Sequence, residues 1–226
     1  MKVLLTFGGT REPIDAARFI TNMSTGRTGR IIAERLSSRG CGITCLCACG
    51  AQRPAGKKVQ INEFTTFKEL DAGLQRLLKA QAFDAVIHLA AVSDYSPACV
   101  EAGGKKFKPG GAAKLDSKAP EIKVVLKRNF KIIDRIKSYA AAGKKPQPLL
   151  IGFKLTSGAA NAQVLEKVRA LSAADLVVHN DLAEMKTGHA FHIYENGKKL
   201  ADCCGPEELA DRLYSDIKNI TEVICS

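Results

Sequence analysis

Residues 2–29 read KVLLTFGGTREPIDAARFITNMSTGRTG. Lys2–Phe7 is a compact apolar run of strand type, and Arg27 opens a helical pattern, RTGRIIAERLSSRG. Nucleotide-binding α/β proteins usually cross from first strand to first helix in a few residues. Here residues 8–26 intervene, with glycines at both ends and two arginines, an asparagine and four hydroxyl residues between them. Tight glycines after a first strand bring backbone N–H groups close to phosphate, with a helix N-terminus behind them. That work is divided here between Gly8-Gly9-Thr10 and Ser24-Thr25-Gly26-Arg27-Thr28-Gly29. What the residues between them serve is the question the rest of the chain must answer.

Outward from this stretch, strand and helix patterns alternate. GITCLCA is followed by FKELDAGLQRLLKAQ, then DAVIHLAA, FKIIDRIKSYAAAG, PLLIGFKL, ANAQVLEKVRALSA and ADLVVHN. Apolar runs as compact as DAVIHLAA belong to strands covered on both faces. The rhythm predicts a doubly wound, mainly parallel Rossmann-like α/β sheet with right-handed crossovers. FHIYENGKKLAD reads as a hairpin turning at Glu195-Asn196-Gly197, and PEELADRLYSDIKNI as a closing helix with Pro206 in its first turn. Residues 96–127 break the rhythm. The first half is rich in glycine and lysine without a helical pattern, and the second ends in the alternation EIKVVLK. A flexible loop followed by a strand that leaves the main sheet is expected, suited to a lid and a subunit contact within a single domain spanning 1–226.

Composition narrows the function classes. The chain has 226 residues, 46% hydrophobic and 25% charged, with no apolar run long enough to span a membrane. Its start lacks the pattern of a signal peptide, so a cytoplasmic enzyme without membrane partners is expected. The net charge of +11 raises nucleic acid as a partner, but the lysines are dispersed and only 6% of residues are aromatic, thin for base stacking. A phosphate-bearing small substrate explains a basic cleft equally well, and no nucleic-acid partner is expected. Cys41, Cys45, Cys47 and Cys49 share one parity on a strand but lack a second ligand pair at zinc spacing. Buried free thiols, with no metal site, are the expectation.

An NAD(P)-dependent oxidoreductase of short-chain-dehydrogenase type is the alternative. Such an enzyme needs a carboxylate after the second strand, where this chain has Ala51-Gln52-Arg53. It also needs a Tyr-x-x-x-Lys pair on a helix beside the cofactor; Tyr194 to Lys198 straddles the predicted turn, and Tyr214 to Lys218 falls in the closing helix.

Taken together, GGTREPID-x2-RFI-x-N-x-S-x-G-x2-G, AAVSDY, the loop K-L-x-S, IGFKL and ADLVVHND resemble the phosphopantothenate–cysteine ligases of coenzyme A biosynthesis, over nearly the whole chain. Because Met1 opens directly on the first motif, the chain is similar to the stand-alone form. The resemblance implies ligation of the 4′-phosphopantothenate carboxylate to the amine of cysteine. CTP or ATP activates the carboxylate as an acyl-nucleotide, with Mg2+ accompanying the triphosphate, and a homodimer carries the site near its interface.

Site residues follow from the same resemblance. Asn22 is placed to bind the acyl-nucleotide and carry it into amide formation, because its amide both donates and accepts. Arg18 is placed as a phosphate clamp, against the alternative of a structural pair with Asp15 or Glu12. Gly8, Gly9, Ser24 and Gly26 line the phosphates. Asp94 lies near ribose or base, against a capping alternative, and Phe153 lies against the base, against core packing. Lys114 corresponds to a catalytic lid lysine, with Lys118 nearby. Two lysines four apart that mark CTP users are replaced by Val168 and Ser172, which leaves ATP open.

Overall fold

The computed structural model describes residues 1–111, 115, 116, 118–186, 188 and 190–225, the last four and Lys186 by backbone alone. Lys114 lies outside the described residues.

The chain enters on β1 (Lys2–Phe7), whose last five residues are buried. A short hairpin, β2 (Arg11–Pro13) and β3 (Phe19–Thr21), fills the long first crossing. Helix α1 (Arg27–Ser38) then leads to β4 (Gly42–Ala48) and β5 (Val59–Phe64). Helix α2 (Phe67–Ala80) starts on a capping box between Thr66 and Glu69 and returns the chain to β6 (Ala85–His88). Three strands follow as a separate sheet: β7 (Tyr95–Ala102), β8 (Lys105–Phe107) and β9 (Ile122–Arg128), in order β8-β7-β9. A 3-10 turn (Ile132–Arg135) runs into α3 (Ile136–Ala142), then come β10 (Leu149–Thr156), α4 (Asn161–Arg169) and β11 (Leu176–Asp181). The antiparallel pair β12 (Phe191–Glu195) and β13 (Lys198–Cys203) turns at Asn196-Gly197, both at positive φ, and α5 (Pro206–Cys225) ends the chain.

The main sheet has eight strands in the order β13-β12-β11-β10-β6-β1-β4-β5, parallel from β11 to β5. This is the doubly wound architecture the alternation predicts. Helices α1 and α5 cover one face through Ile32, Leu36, Leu209, Leu213 and Ile217. Helices α2 and α3 cover the other through Leu70, Leu74, Leu78, Ile136 and Tyr139. Cys41, Cys45 and Cys47 point into the first of these layers, where burial raises their thiol pKa values, that of Cys45 to about 12. They are core packing groups, while Cys49 is exposed beyond the strand end.

Three elements differ from the sequence expectation. The first loop holds a hairpin, β5 was hidden in polar alternation, and residues 95–107 form a hairpin rather than a loop. Gly103 and Gly104, at φ 54° and 75°, make the two-residue turn of that last hairpin.

Candidate functional site

The order in which strands join the sheet reverses between β1 and β6, which are parallel neighbours. From β1 the sheet grows through β4 to β5, and after α2 it resumes at β6 on the other side. Open α/β folds bind ligands in the crevice that such a switch point leaves at the carboxyl ends of the strands. The crevice here is bordered by Gly8-Gly9-Thr10 and by residues 89–94.

The two borders are stitched together. Ala91 N donates to Gly8 O (2.8 Å), Thr10 N to Ala91 O (3.2 Å), and Ser93 N to the buried Thr10 Oγ1 (3.0 Å). Glu12, also buried, accepts from Phe67 N at the start of α2 (2.8 Å) and from Ser96 Oγ (2.7 Å). The motif GGTRE therefore holds the β6 loop, the α2 terminus and the second sheet in one place.

Each glycine at this edge has a steric reason. A Cβ on Gly8 would stand 2.6 Å from Ala48 Cβ, and one on Gly26 would stand 2.7 Å from Ala51 Cβ; both residues have positive φ. On Gly9 it would meet the backbone oxygen of Asn22 at 2.5 Å, so Gly9 is what lets Asn22 lie over the crevice. Asn22 is exposed and its Nδ2 reaches across to Val92 O (3.1 Å). Its amide thus spans both borders. Gly26 caps α1 without a side-chain hydrogen bond, no acidic residue occupies the first turn of α1, and Ser24 is exposed before it.

Arg18 directly precedes β3 and is separated from Asn22 by that strand. Its Nε and Nη2 both donate to Asp15 Oδ2 (2.9 and 2.6 Å), and Nη2 also reaches Leu115 O (3.2 Å). Asp15 accepts further bonds from the backbone of Ala17, Arg18 and Leu115. The Arg18 guanidinium and these N–H groups hold its carboxyl well below the usual range. Leu115 is buried beneath, against Val100 and Ala102. The Asp15–Arg18 pair clips the first loop to the second sheet.

Asp94 is exposed and paired with Lys131 (2.5 Å), and its backbone oxygen accepts from Asn129 N. Lys154, half-buried on β10, has a lowered pKa: burial works first, then the charges of Lys131 and Lys167, against the help of Asp94. Phe153 is partly buried against the α1–α5 core layer at the same sheet edge. On β11, Asn180 Nδ2 lies 3.4 Å from Met185 Sδ. Asp181 accepts from Thr156 Oγ1 and from Gly158 N and Ala183 N, fixing the loop before α4. Arg11, Lys131 and Lys154 were not singled out from sequence, and Glu12 was named only as a partner for Arg18. Glu12 and Arg11 stood inside the first motif, and Lys154 inside IGFKL.

The dehydrogenase arrangement does not form. Arg53, after β4, pairs with Glu63, and Tyr194 is buried on β12 with Lys198 across the turn on β13. Tyr214 and Lys218 of α5 lie beside Met1 and Cys41 at the amino ends of β1 and β4, away from the crevice.

Residues 1–219 match the family model described as the DNA/pantothenate metabolism flavoprotein C-terminal domain. The chain belongs to this family. A crystal structure of a DNA/pantothenate metabolism flavoprotein from Streptococcus pneumoniae is 30% identical, with a TM-score of 0.84 over 97% of this chain and 99% of that one. The coenzyme A biosynthesis bifunctional protein CoaBC of Thermococcus kodakarensis is 32% identical over 97% of this chain and 51% of its own length. That of Mycobacterium tuberculosis is 32% identical over 91% and 47%. The chain thus spans about half the length of the CoaBC relatives it matches. The structure of a Cab2 mutant in complex with phosphopantothenate-cysteine shares the fold, at 19% identity and a TM-score of 0.71 over 98% of this chain and 88% of that one.

Proposed function

We propose that this domain joins the carboxylate of 4′-phosphopantothenate to the amine of cysteine, through an acyl-nucleotide made from CTP or ATP. The observation that carries the proposal is Asn22, held over Gly9 and spanning the switch-point crevice, in a chain whose residues 1–219 match the family and whose relatives are named for coenzyme A biosynthesis.

Two displacements make up the reaction. A carboxylate oxygen attacks the α-phosphorus, and pyrophosphate leaves with the electron pair. The cysteine amine then attacks the acyl carbon, loses a proton, and the nucleoside monophosphate leaves. Asn22 serves the second step: Nδ2 turns from Val92 O to the acyl oxygen, and Oδ1 accepts from the amine. Gly8, Gly9, Ser24 and Gly26 give the phosphates backbone N–H groups, with Gly26 opening α1 behind them. Asp94 and Phe153 flank the nucleoside, and Lys114 is the residue proposed to cover the α-phosphate. Among the described residues no three acidic, histidine or cysteine side chains converge as a metal site. Magnesium enters with the substrate, as the Mg2+ salt of the triphosphate.

The test measures pyrophosphate release and amide formation with 4′-phosphopantothenate, Mg2+ and either CTP or ATP, with and without cysteine. Phosphopantothenate-dependent release plus a cysteine-dependent amide supports the proposal; no release from folded protein with either nucleotide sinks it. In Asn22→Asp, release should continue while amide formation falls by roughly a hundredfold, the scale of one lost oxyanion donor. Equal loss of both steps removes Asn22 from its role.

A further inference from the structure

The first loop contributes two guanidinium groups to the crevice edge, and they are in opposite states. Arg18 has its fork on Asp15. Arg11 is ordered, half-buried, and among the described residues has no carboxylate within ion-pair distance. Its backbone cannot drift: Arg11 N donates to Thr65 O (2.7 Å), the residue pairs with Thr21 across the hairpin, and Glu12 beside it is buried and doubly bonded. Its side chain is held as well. The guanidinium carbon lies 5.0 Å from the centroid of the Phe19 ring. A Cβ on Gly50 would lie 2.0 Å from Nη2 and 3.0 Å from Cζ, so the guanidinium occupies the space Gly50 leaves open. Gly50 adjoins Ala51, the same residue that Gly8 and Gly26 approach. The free guanidinium and the two phosphate-facing glycines converge on one turn, 49–51.

A fixed planar cation without a counter-charge, beside a glycine-lined turn, suits a group that accepts two parallel N–H bonds. We propose that Arg11 binds the terminal phosphates of the nucleoside triphosphate and takes up the charge of pyrophosphate as it leaves. The assignment rests on the ligase reading for its substrate. In the step concerned, the carboxylate oxygen–phosphorus bond forms and the bond from the α-phosphorus to the bridging oxygen breaks. The electron pair goes to pyrophosphate, and Arg11 remains protonated throughout.

Calorimetry with inorganic pyrophosphate, and separately with ATP, CTP and 4′-phosphopantothenate, tests this on the full chain. Against wild type, Arg11→Met should weaken pyrophosphate and triphosphate binding roughly ten- to a hundredfold, the range for hydrogen bonds to charged groups. Binding of 4′-phosphopantothenate should not change. Arg11→Lys should recover only part of the loss, since an ammonium keeps the charge without the fork. Phe19→Leu, which leaves Arg11 in place and removes only its stacking partner, should give a smaller loss and guards against a folding defect in the Arg11 variants. Wild type that fails to bind pyrophosphate, an Arg11→Met protein that binds it normally, or a loss confined to 4′-phosphopantothenate overturns the assignment. Arg11-dependent triphosphate binding without amide product would sink the ligase reading alone. Amide synthesis with pyrophosphate binding untouched in Arg11→Met would sink the Arg11 assignment alone.

Discussion

His88 ends β6 directly beneath the crevice, with Nδ1 2.7 Å from the buried Thr6 Oγ1. Burial disfavours the imidazolium and lowers its pKa from 6.5 to about 4. The unfolded chain therefore binds more protons between those values. Stability from this group is complete above the unfolded value and is lost as pH falls toward 4. Between about pH 7.5 and about pH 5 the loss should be roughly 2 kcal/mol in urea unfolding, most of it absent in His88→Gln. Coincident pH slopes for the two proteins would show that His88 titrates alike in both states. Histidine number and position were plain in sequence, but this burial was not, because it depends on which strands flank β6. Arg18 makes the same point. Sequence offered a phosphate clamp or a pair with Asp15 or Glu12, and only the bend at residues 14–18 places its fork on Asp15.

The elements that were legible are those whose pattern is long. The strands β1, β4, β6, β10 and β11 are apolar runs buried on both faces, and α2 and α5 repeat leucine or isoleucine every three or four residues. The strands that escaped are three residues long, like β2, β3 and β8, lie at an edge with polar residues outward, like β5, or carry a mixed run without clean alternation, like the eight-residue β7 (YSPACVEA). Helix α1 carries the strictest packing demand. A Cβ on Gly29 would fall 2.4 Å from Phe7 Cγ and 2.5 Å from its Cβ, in the fully buried heart of the sheet–helix contact. Gly29→Ala should lower stability by about 1–3 kcal/mol despite the better helix propensity of alanine, and should weaken triphosphate binding by moving the α1 terminus. Gly73→Ala on α2 should cost less, since its Cβ meets only the methyl ends of Leu46, at 2.9 and 3.0 Å. Thermal melts of both variants check the order. Equal or reversed losses would mean that α1 can slide on β1 without penalty.

At the scale of the molecule, the second sheet is the part that the main core does not account for. Its inner face packs Val100, Ala102, Leu115 and Val124, but β9 is an edge strand with Val125 and Leu126 51% and 44% exposed, beside Tyr95 at 49%. Unpaired backbone and solvent-facing apolar side chains on one edge invite a second strand. We propose that the second strand is β9 of another copy. In a two-fold antiparallel pair centred on Val125, each Val125 faces its mate, while Lys123 of one chain faces Lys127 of the other. Apolar burial then favours association and the lysines oppose it, in part relieved by Glu121 at 3.6 Å from Lys123. Sedimentation of wild type should give twice the 24.3 kDa chain mass, with tighter association as salt screens the lysines. Val125→Asp with Leu126→Asp should yield a folded monomer, because paired carboxylates at the seam add repulsion and remove the apolar contact. A monomeric wild type at micromolar concentration, or a double variant that remains dimeric, would remove β9 from the interface. Monomerisation that also abolished amide formation while leaving pyrophosphate binding intact would place the acyl-acceptor half of the site at the contact between copies.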